Sequence, residues 1–296
     1  MLKINWRIIS GLGPAIKGMR NPLESWDKSD SVIGGECVTL GPEDEKLMMK
    51  LAKAGPEHAK YKRMIQVYVD VTAPLYWWKE FDTYKVGTVA NSCSTMHYIH
   101  KKPITLDDFS HEHLIKDFDY PEDISDNSYL ETYCMLDPEI DDSLSFSTDY
   151  YNGEIVPIDV LNVTIAMLNR ARELYLKTND KKYWWQMIQL LPSSYNQSRT
   201  IMANYEVLSN IYRQRRDHKL DEWHTFCDWI EGLPYSNLIT LKESLDPAYS
   251  SAYWIKITEP GQSPAYQCSR CKNLVNEPKD RCEGCGSEME VRPDMV

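Results

Sequence analysis

Between Asp107 and Glu154 the chain carries 15 acidic residues and one base, Lys116, within a 296-residue sequence of formal net charge −11. A run this acidic repels itself, and its charges resist burial. It is weakly periodic, holds Pro121 and Pro138, and is rich in Ser, Thr, Asp and Asn. It reads as a long irregular insertion with one short helix at most. The fold must therefore be built from the sequence on either side, which sums to a net charge of +3. An anionic ligand has to bind there. The overall negative charge argues against a protein that coats nucleic acid. With 42% hydrophobic and 26% charged residues, the composition is that of a soluble globular protein. No apolar run is long enough to span a bilayer. Met1–Gly13 lacks the continuous apolar block of a secretory leader, so a cytoplasmic location is expected.

The flanking blocks have readable periods. Residues 1–45 mix Gly, Pro and Ser, and Gly18–Ser31 shows no clean period. Glu43–Ala54 predicts a helix with Leu47, Met48, Leu51 and Ala52 on one face and Gly55 as its stop. Met64–Val71 alternates strictly and predicts a half-buried strand. Pro74 is expected to open a helix through Lys85. Helices are also predicted at Leu161–Leu176, Tyr183–Leu191, Tyr195–Arg216 and Leu220–Ile230.

The C-terminal stretch is different in kind. Cys268-x-x-Cys271 and Cys282-x-x-Cys285 form two knuckles separated by ten residues. Each knuckle can aim two thiolates at one metal, and two knuckles close a tetrahedral four-cysteine zinc site of structural type. Gly284 and Gly286 supply flexible backbone at the second. A small module with little apolar core needs such a staple. The sequence thus predicts residues 1–258 as the main domain, with 107–154 as its insertion, and residues 259–296 as a zinc ribbon. The ribbon's mixed charges give no reason to expect nucleic acid. The remaining cysteines are scattered, as befits reduced thiols.

The densest chemistry lies in Lys53–His100: a strand, the step Ala73-Pro74, a helix with Glu80, Asp82 and Lys85, then Asn91-Ser92-Cys93-Ser94-Thr95. A second block, Leu190–Trp223, follows a Leu-Pro step with Asn204, Asn210 and Arg215. Arg offers a fork for phosphate or carboxylate, and Asn reads a pyrimidine edge with a donor and an acceptor together. Together these blocks resemble the flavin-dependent thymidylate synthases. In that family a strand and an Ala-Pro step lead into the motif R-H-R-x-x-S-x-N-E-x-S-x-R. Aligned on Ala73-Pro74, the R-H-R triplet falls on Thr83, Tyr84 and Lys85. With one inserted residue, the family Asn falls on Asn91, the Glu on Ser92, the Ser on Ser94 and the last Arg on Met96. The family's C-terminal Asn, Asn and Arg match Asn204, Asn210 and Arg215 without a gap. A further family Arg would lie near Ile188.

The resemblance implies an α+β fold, a twisted sheet with long helices, in a homotetramer with shared active sites. It implies reductive methylation of dUMP or a related deoxyuridine nucleotide, with FAD as hydride carrier and NADPH and methylenetetrahydrofolate as co-substrates. It assigns Ser94 and Arg215 to catalysis, and Lys85, Asn91, Asn204 and Asn210 to cofactor binding. The alternative is a non-catalytic relative that binds nucleotides or assembles with partners through the zinc ribbon. Several residues keep two readings. Ser94 could bond a nucleotide or cap a turn. Arg213–Arg216 could clamp phosphate or sit solvated at a helix C-terminus. Trp77-Trp78 and Trp184-Trp185 fit core or interface better than a stacking platform. Cys93 with His97 four residues on could be a thiol and its base. His111-Glu112-His113 lacks a third metal ligand and reads as a solvated loop. Glu80 and Asp82 read as helix surface or salt-bridge partners.

Overall fold

A computed structural model describes residues 2–34, 37–116 and 156–242, with four strands beyond them at 252–257, 265–268, 274–275 and 289–290. The order is β1 (Lys3–Ser10), α1 (Leu12–Arg20), β2 (Val32–Gly34), β3 (Cys37–Thr39), α2 (Pro42–Lys53), β4 (Gln66–Pro74), α3 (Leu75–Phe81), β5 (Thr88–Ser92), α4 (Thr95–Tyr98) and α5 (Pro157–Thr178). There follow α6 (Lys181–Leu190), β6 (Asn196–Asn204), α7 (Tyr205–Arg215), α8 (Asp221–Glu231), α9 (Asn237–Thr240), β7 (Ala252–Ile257), β8 (Ala265–Cys268), β9 (Leu274–Val275) and β10 (Met289–Glu290). The main sheet has the order β1-β4-β6-β5, and β2 and β3 form an antiparallel ribbon. A second four-stranded sheet runs β10-β7-β8-β9. In it Trp254 of β7 lies opposite Cys268 of β8, so a strand before residue 258 shares a sheet with strands after it.

The strand read from alternation is β4. Val67, Val69, Val71 and Ala73 are all fully buried, while Tyr68 faces out. The helices expected at Glu43–Ala54, Leu161–Leu176, Tyr183–Leu191 and Leu220–Ile230 are α2, α5, α6 and α8, within a few residues at each end. Two expectations fail. Pro74 closes β4, and α3 ends at Phe81, where the chain turns through Thr83 N–H to Glu80 O and Tyr84 N–H to Phe81 O. Tyr195–Arg216 is not one helix: its first half is β6 and its second is α7. Ile201 and Ala203 are buried, while Thr200 before them is exposed and Met202 between them is half-buried, the period of a strand lying between β4 and β5. Pairing on both sides overrides a local sequence without the usual β-branched bias.

The aperiodic Gly18–Ser31 is organised by a buried charge. Asp44, in the first turn of α2, is inaccessible to solvent. Its carboxylate accepts from Arg20 Nε at 2.6 Å, from the Ser29 and Ser31 hydroxyls at 2.6 Å each, and from Ser31 N–H at 3.2 Å. Burial would push this carboxyl up, but the two hydroxyls and the Arg20 cation outweigh it and hold the group below its ordinary value. Asp30 accepts from the Glu43 and Asp44 amides and so caps α2.

The described chain divides into two compact units. One comprises Thr72–Lys79 and Ser92–Ser198. Its core gathers Ile99, Ile104, Phe109, Leu161, Leu168, Ala171 and Met187, with α5 packed on α6. The other comprises Leu2–Val71, Glu80–Asn91 and the chain from Arg199 onward. In it α7 packs on α8 and α9, and Trp223 and Phe226 of α8 are fully buried. Trp77 and Trp78 are buried as well, as core aromatics. Residues 117–155, most of the acidic insertion, lie outside the described residues. No described helix is long and apolar enough to cross a membrane.

Candidate functional site

The charged centre of the second unit is Glu80, on the last turn of α3. Its Oε2 accepts from Arg215 Nη1 at 2.8 Å and from the indole N–H of the fully buried Trp223 at 2.8 Å. His218 Nε2 lies 3.4 Å from the same oxygen. Arg215 Nε donates to the Tyr84 hydroxyl at 2.9 Å, and that hydroxyl donates to Gln214 Oε1 at 2.9 Å. The guanidinium sits over the Trp223 ring, 4.9 Å from its centroid, with Tyr84 at 5.7 Å. Arg215 is thus fixed on three sides by α3, the turn after it, and α8. An arginine has five N–H donors. Two are engaged here, which leaves part of the fork for a ligand oxygen, provided that ligand tolerates the Glu80 carboxylate.

Asn204 sits where β6 becomes α7. Its Oδ1 accepts from Val207 N–H at 2.9 Å, an N-cap, so one face of the amide is committed to starting the helix. Its Nδ2 faces Gly87. That glycine has φ +86°, and a Cβ on it would stand 2.7 Å from Asn204 Nδ2. The turn from α3 to β5 therefore lies against the start of α7, and glycine both adopts the left-handed backbone and leaves the amide room. Lys85 in that turn and Asn91 on β5 are exposed.

The other expected residues go elsewhere. Asn210 lines a cavity of about 480 Å³ with Lys62, Glu206, Ser209, Arg213 and the end of α9, and Arg215 is not among the residues lining it. Ser94 belongs to the first unit, where its hydroxyl accepts from His97 N–H at 3.3 Å and caps α4. Cys93 beside it is an exposed free thiol. The structure thus puts Arg215 with Glu80, and Asn204 with the Gly87 turn, while Asn210 opens on a separate cavity. Glu80 is a salt-bridge partner, as its sequence position allowed. Tyr84 and Trp223 were not expected in the site, whereas His218 belongs to the basic run that follows Arg213–Arg216. Tyr84 could have been found from its alignment with the family His, since it supplies a polar hydroxyl at that position. His111 approaches the Phe109 carbonyl at 3.0 Å, and no cluster of three metal-type ligands occurs among the described residues. Cys268 ends β8, while Cys271, Cys282 and Cys285 lie outside the described residues.

No protein-family model matches this chain, and no curated protein matches its sequence. Solved structures do match. A crystal structure of thymidylate synthase X (ThyX) from Helicobacter pylori with FAD and dUMP has TM-score 0.50 and 14% identity, over 81% of this chain and 98% of that one. A second, of the flavin-dependent ThyX of the same organism complexed with FAD and dUMP, has TM-score 0.51 and 15% identity, over 80% and 98%. The fold is that of ThyX. A UMP/dUMP methylase, PolB from Streptomyces cacaoi, matches more loosely at TM-score 0.44 and 14% identity, over 78% and 88%. The ThyX likeness spans nearly the whole of the bacterial chains, so the mixed helix and sheet architecture expected from the sequence is the one present.

Proposed function

We propose that this chain is a flavin-dependent thymidylate synthase-like enzyme that methylates dUMP or a related deoxyuridine nucleotide. What carries the reading is that its fold matches 98% of the length of ThyX chains solved with FAD and dUMP, together with the gap-free Asn204, Asn210 and Arg215. Arg215 and Ser94 are the proposed catalytic contacts to the nucleotide. Lys85, Asn91, Asn204 and Asn210 are the proposed flavin contacts. The residues fit a flavin in part: Lys85 and Asn91 are exposed, and Arg215 keeps donors beyond those bound to Glu80 and Tyr84. When bound, a flavin would supply the hydride. The chain's own part is to bind and orient: Arg215 holds an oxygen of the nucleotide from a fixed position, and Glu80 sets the guanidinium plane. NADPH and methylenetetrahydrofolate are the proposed co-substrates and a homotetramer the proposed assembly. Residues 259–296 are proposed to form a zinc ribbon on Cys268, Cys271, Cys282 and Cys285.

The neutralised Arg215 favours a second reading, a relative that binds nucleotide without turnover. At the R-H-R positions Thr83 Oγ1 donates to the Glu80 carbonyl and Tyr84 to Gln214, leaving Lys85 as the one cation of the three. The visible spectrum separates the two readings. The enzyme should carry or take up FAD, and dUMP should perturb the flavin band. A colourless protein that does not bind added FAD overturns the enzymatic reading. Arg215→Ala should abolish the dUMP response, and an unchanged response removes Arg215 from the site.

A further inference from the structure

Lys62 lies in the 3-10 turn Lys60–Met64 that precedes β4, and only 4% of its surface is exposed. It lines the cavity of about 480 Å³ that also takes in Lys53, Glu206, Ser209, Asn210 and Arg213, a volume in the range of small-molecule sites. Buried lysines are ordinarily paired, but among the described residues no carboxylate lies within ion-pair distance of Lys62. The acid nearest in influence is Glu206, and it is held by Arg63, whose Nε and Nη2 take one carboxylate oxygen each. Arg213 has no acidic partner among the described residues either, and donates from Nη2 to Asn210 Oδ1 at 3.2 Å. Lys62 and Arg213 therefore face one concavity beside one already neutralised carboxylate. Burial, helped by the Arg213 charge and opposed by Glu206, brings the Lys62 amine down to about 8. A desolvated, unpaired cation beside a second unpaired cation is what an anion would complete.

We propose that this cavity is an oxyanion-binding site for the phosphate of an organic phosphate, with Lys62 and Arg213 as its charge-bearing ligands and the Asn210 amide N–H as a neutral one. Arg213 provides a planar fork and Lys62 a point charge, a combination suited to a tetrahedral oxyanion. Neither charge-bearing ligand belongs to the Arg215–Glu80 cluster; Asn210 is shared with the proposed flavin contacts, so Lys62 and Arg213 carry the test that separates this site from flavin binding.

The test uses the full-length protein with inorganic phosphate, pyrophosphate and, at matched ionic strength, chloride and acetate. Calorimetry at pH 8 should show phosphate or pyrophosphate binding with uptake of a fraction of a proton, seen as a dependence on the buffer's ionisation enthalpy. Lys62→Met should weaken binding about ten- to a hundredfold and remove the proton uptake. Arg213→Met should weaken it comparably but leave the uptake. Amine labelling at pH 8, mapped by peptide, should modify Lys62, and phosphate should protect it. No binding, equal stabilisation by chloride, or unchanged affinity and proton uptake in Lys62→Met overturns the proposal. Acetate binding as tightly as phosphate reassigns the site to carboxylates and overturns it as stated. Lys62→Met is expected to fold, since it replaces a buried cation by an apolar chain of similar length. Binding that survives in protein unable to take up FAD upholds this site while removing the enzymatic reading.

Discussion

Removing the Glu80 carboxylate tests whether Arg215 is held by charge or merely sits beside an acid. Glu80 Oε2 accepts from both Arg215 and the buried Trp223 indole, each at 2.8 Å. Glu80→Gln keeps the shape but replaces two charge-assisted bonds by neutral ones, a loss of about 1–2 kcal/mol. Glu80→Ala removes both acceptors and leaves an indole N–H buried, which raises the cost to about 3–4 kcal/mol. The side chains of Arg215 and Glu80 are 19% and 33% exposed, so solvent screens the ion pair in part. A double-mutant cycle of Glu80→Gln with Arg215→Met should accordingly give a coupling of about 1–2 kcal/mol rather than the larger value of a fully buried pair. The assay is urea unfolding followed by tryptophan fluorescence, with Trp223 itself a reporter. Thermal midpoints should fall by roughly 2–4 °C per kcal/mol in a unit of this size. Coupling below about 0.3 kcal/mol would mean that the cation is held by its packing on Trp223 and not by the carboxylate, and the positioning argument for Arg215 would fail. In ligand binding the sign reverses. Glu80→Gln leaves the guanidinium uncompensated, so an anionic nucleotide on Arg215 should bind more tightly to Glu80→Gln than to the wild type.

Lys62 gives a pH prediction. Its amine sits at about 8 in the folded chain, below the ordinary 10.5. Between those values the unfolded chain holds more protons, so stability rises with pH through this window. Below 8 the cost of the buried cation is fully present, about 3 kcal/mol at the ordinary conversion. Lys62→Met should be more stable than wild type at pH 7, by roughly 2–4 kcal/mol, and should flatten the rise between pH 8 and 10.5; a wild-type curve that is already flat there refutes it. The four-cysteine module should hold one zinc per chain by metal analysis. A strong chelator should unfold that module, since zinc supplies about 10–16 kcal/mol in such domains. No bound metal refutes the ribbon.

The parts of the fold visible in the sequence are those whose burial is one-sided and locally periodic. β4 announces itself because Val67, Val69, Val71 and Ala73 all face one interior. α5 does so through Leu161, Leu168 and Ala171. β6 stays hidden because Asn196–Asn204 is polar and carries few β-branched residues. What makes it a strand is its place between β4 and β5, a non-local cause with only a weak local trace. That trace was the alternation of Thr200 and Met202 against Ile201 and Ala203, followed by a capping Asn.

The same distinction governs the site. Asn204, Asn210 and Arg215 could be picked out by residue type and spacing, but a linear sequence does not tell which neighbour each will meet. Arg215 meets a carboxylate 135 residues away, and Asn204 a glycine whose missing side chain is the point of contact. Lys62 was invisible altogether, because three of the four residues Lys60–Arg63 are basic and nothing in that composition signals burial. Its burial follows from the position of the turn. With Tyr61 and Ile65 both buried on either side of it, the Lys62 backbone is drawn under the surface, and the amine comes to line the cavity. A long, flexible side chain can normally snorkel out to solvent. Lys62 stays 96% covered, with no carboxylate among the described residues within ion-pair distance, and this is what the proposed anion would answer. Packing alone would favour a methionine at that position, and the proposed oxyanion is what would offset the charge of the amine kept there.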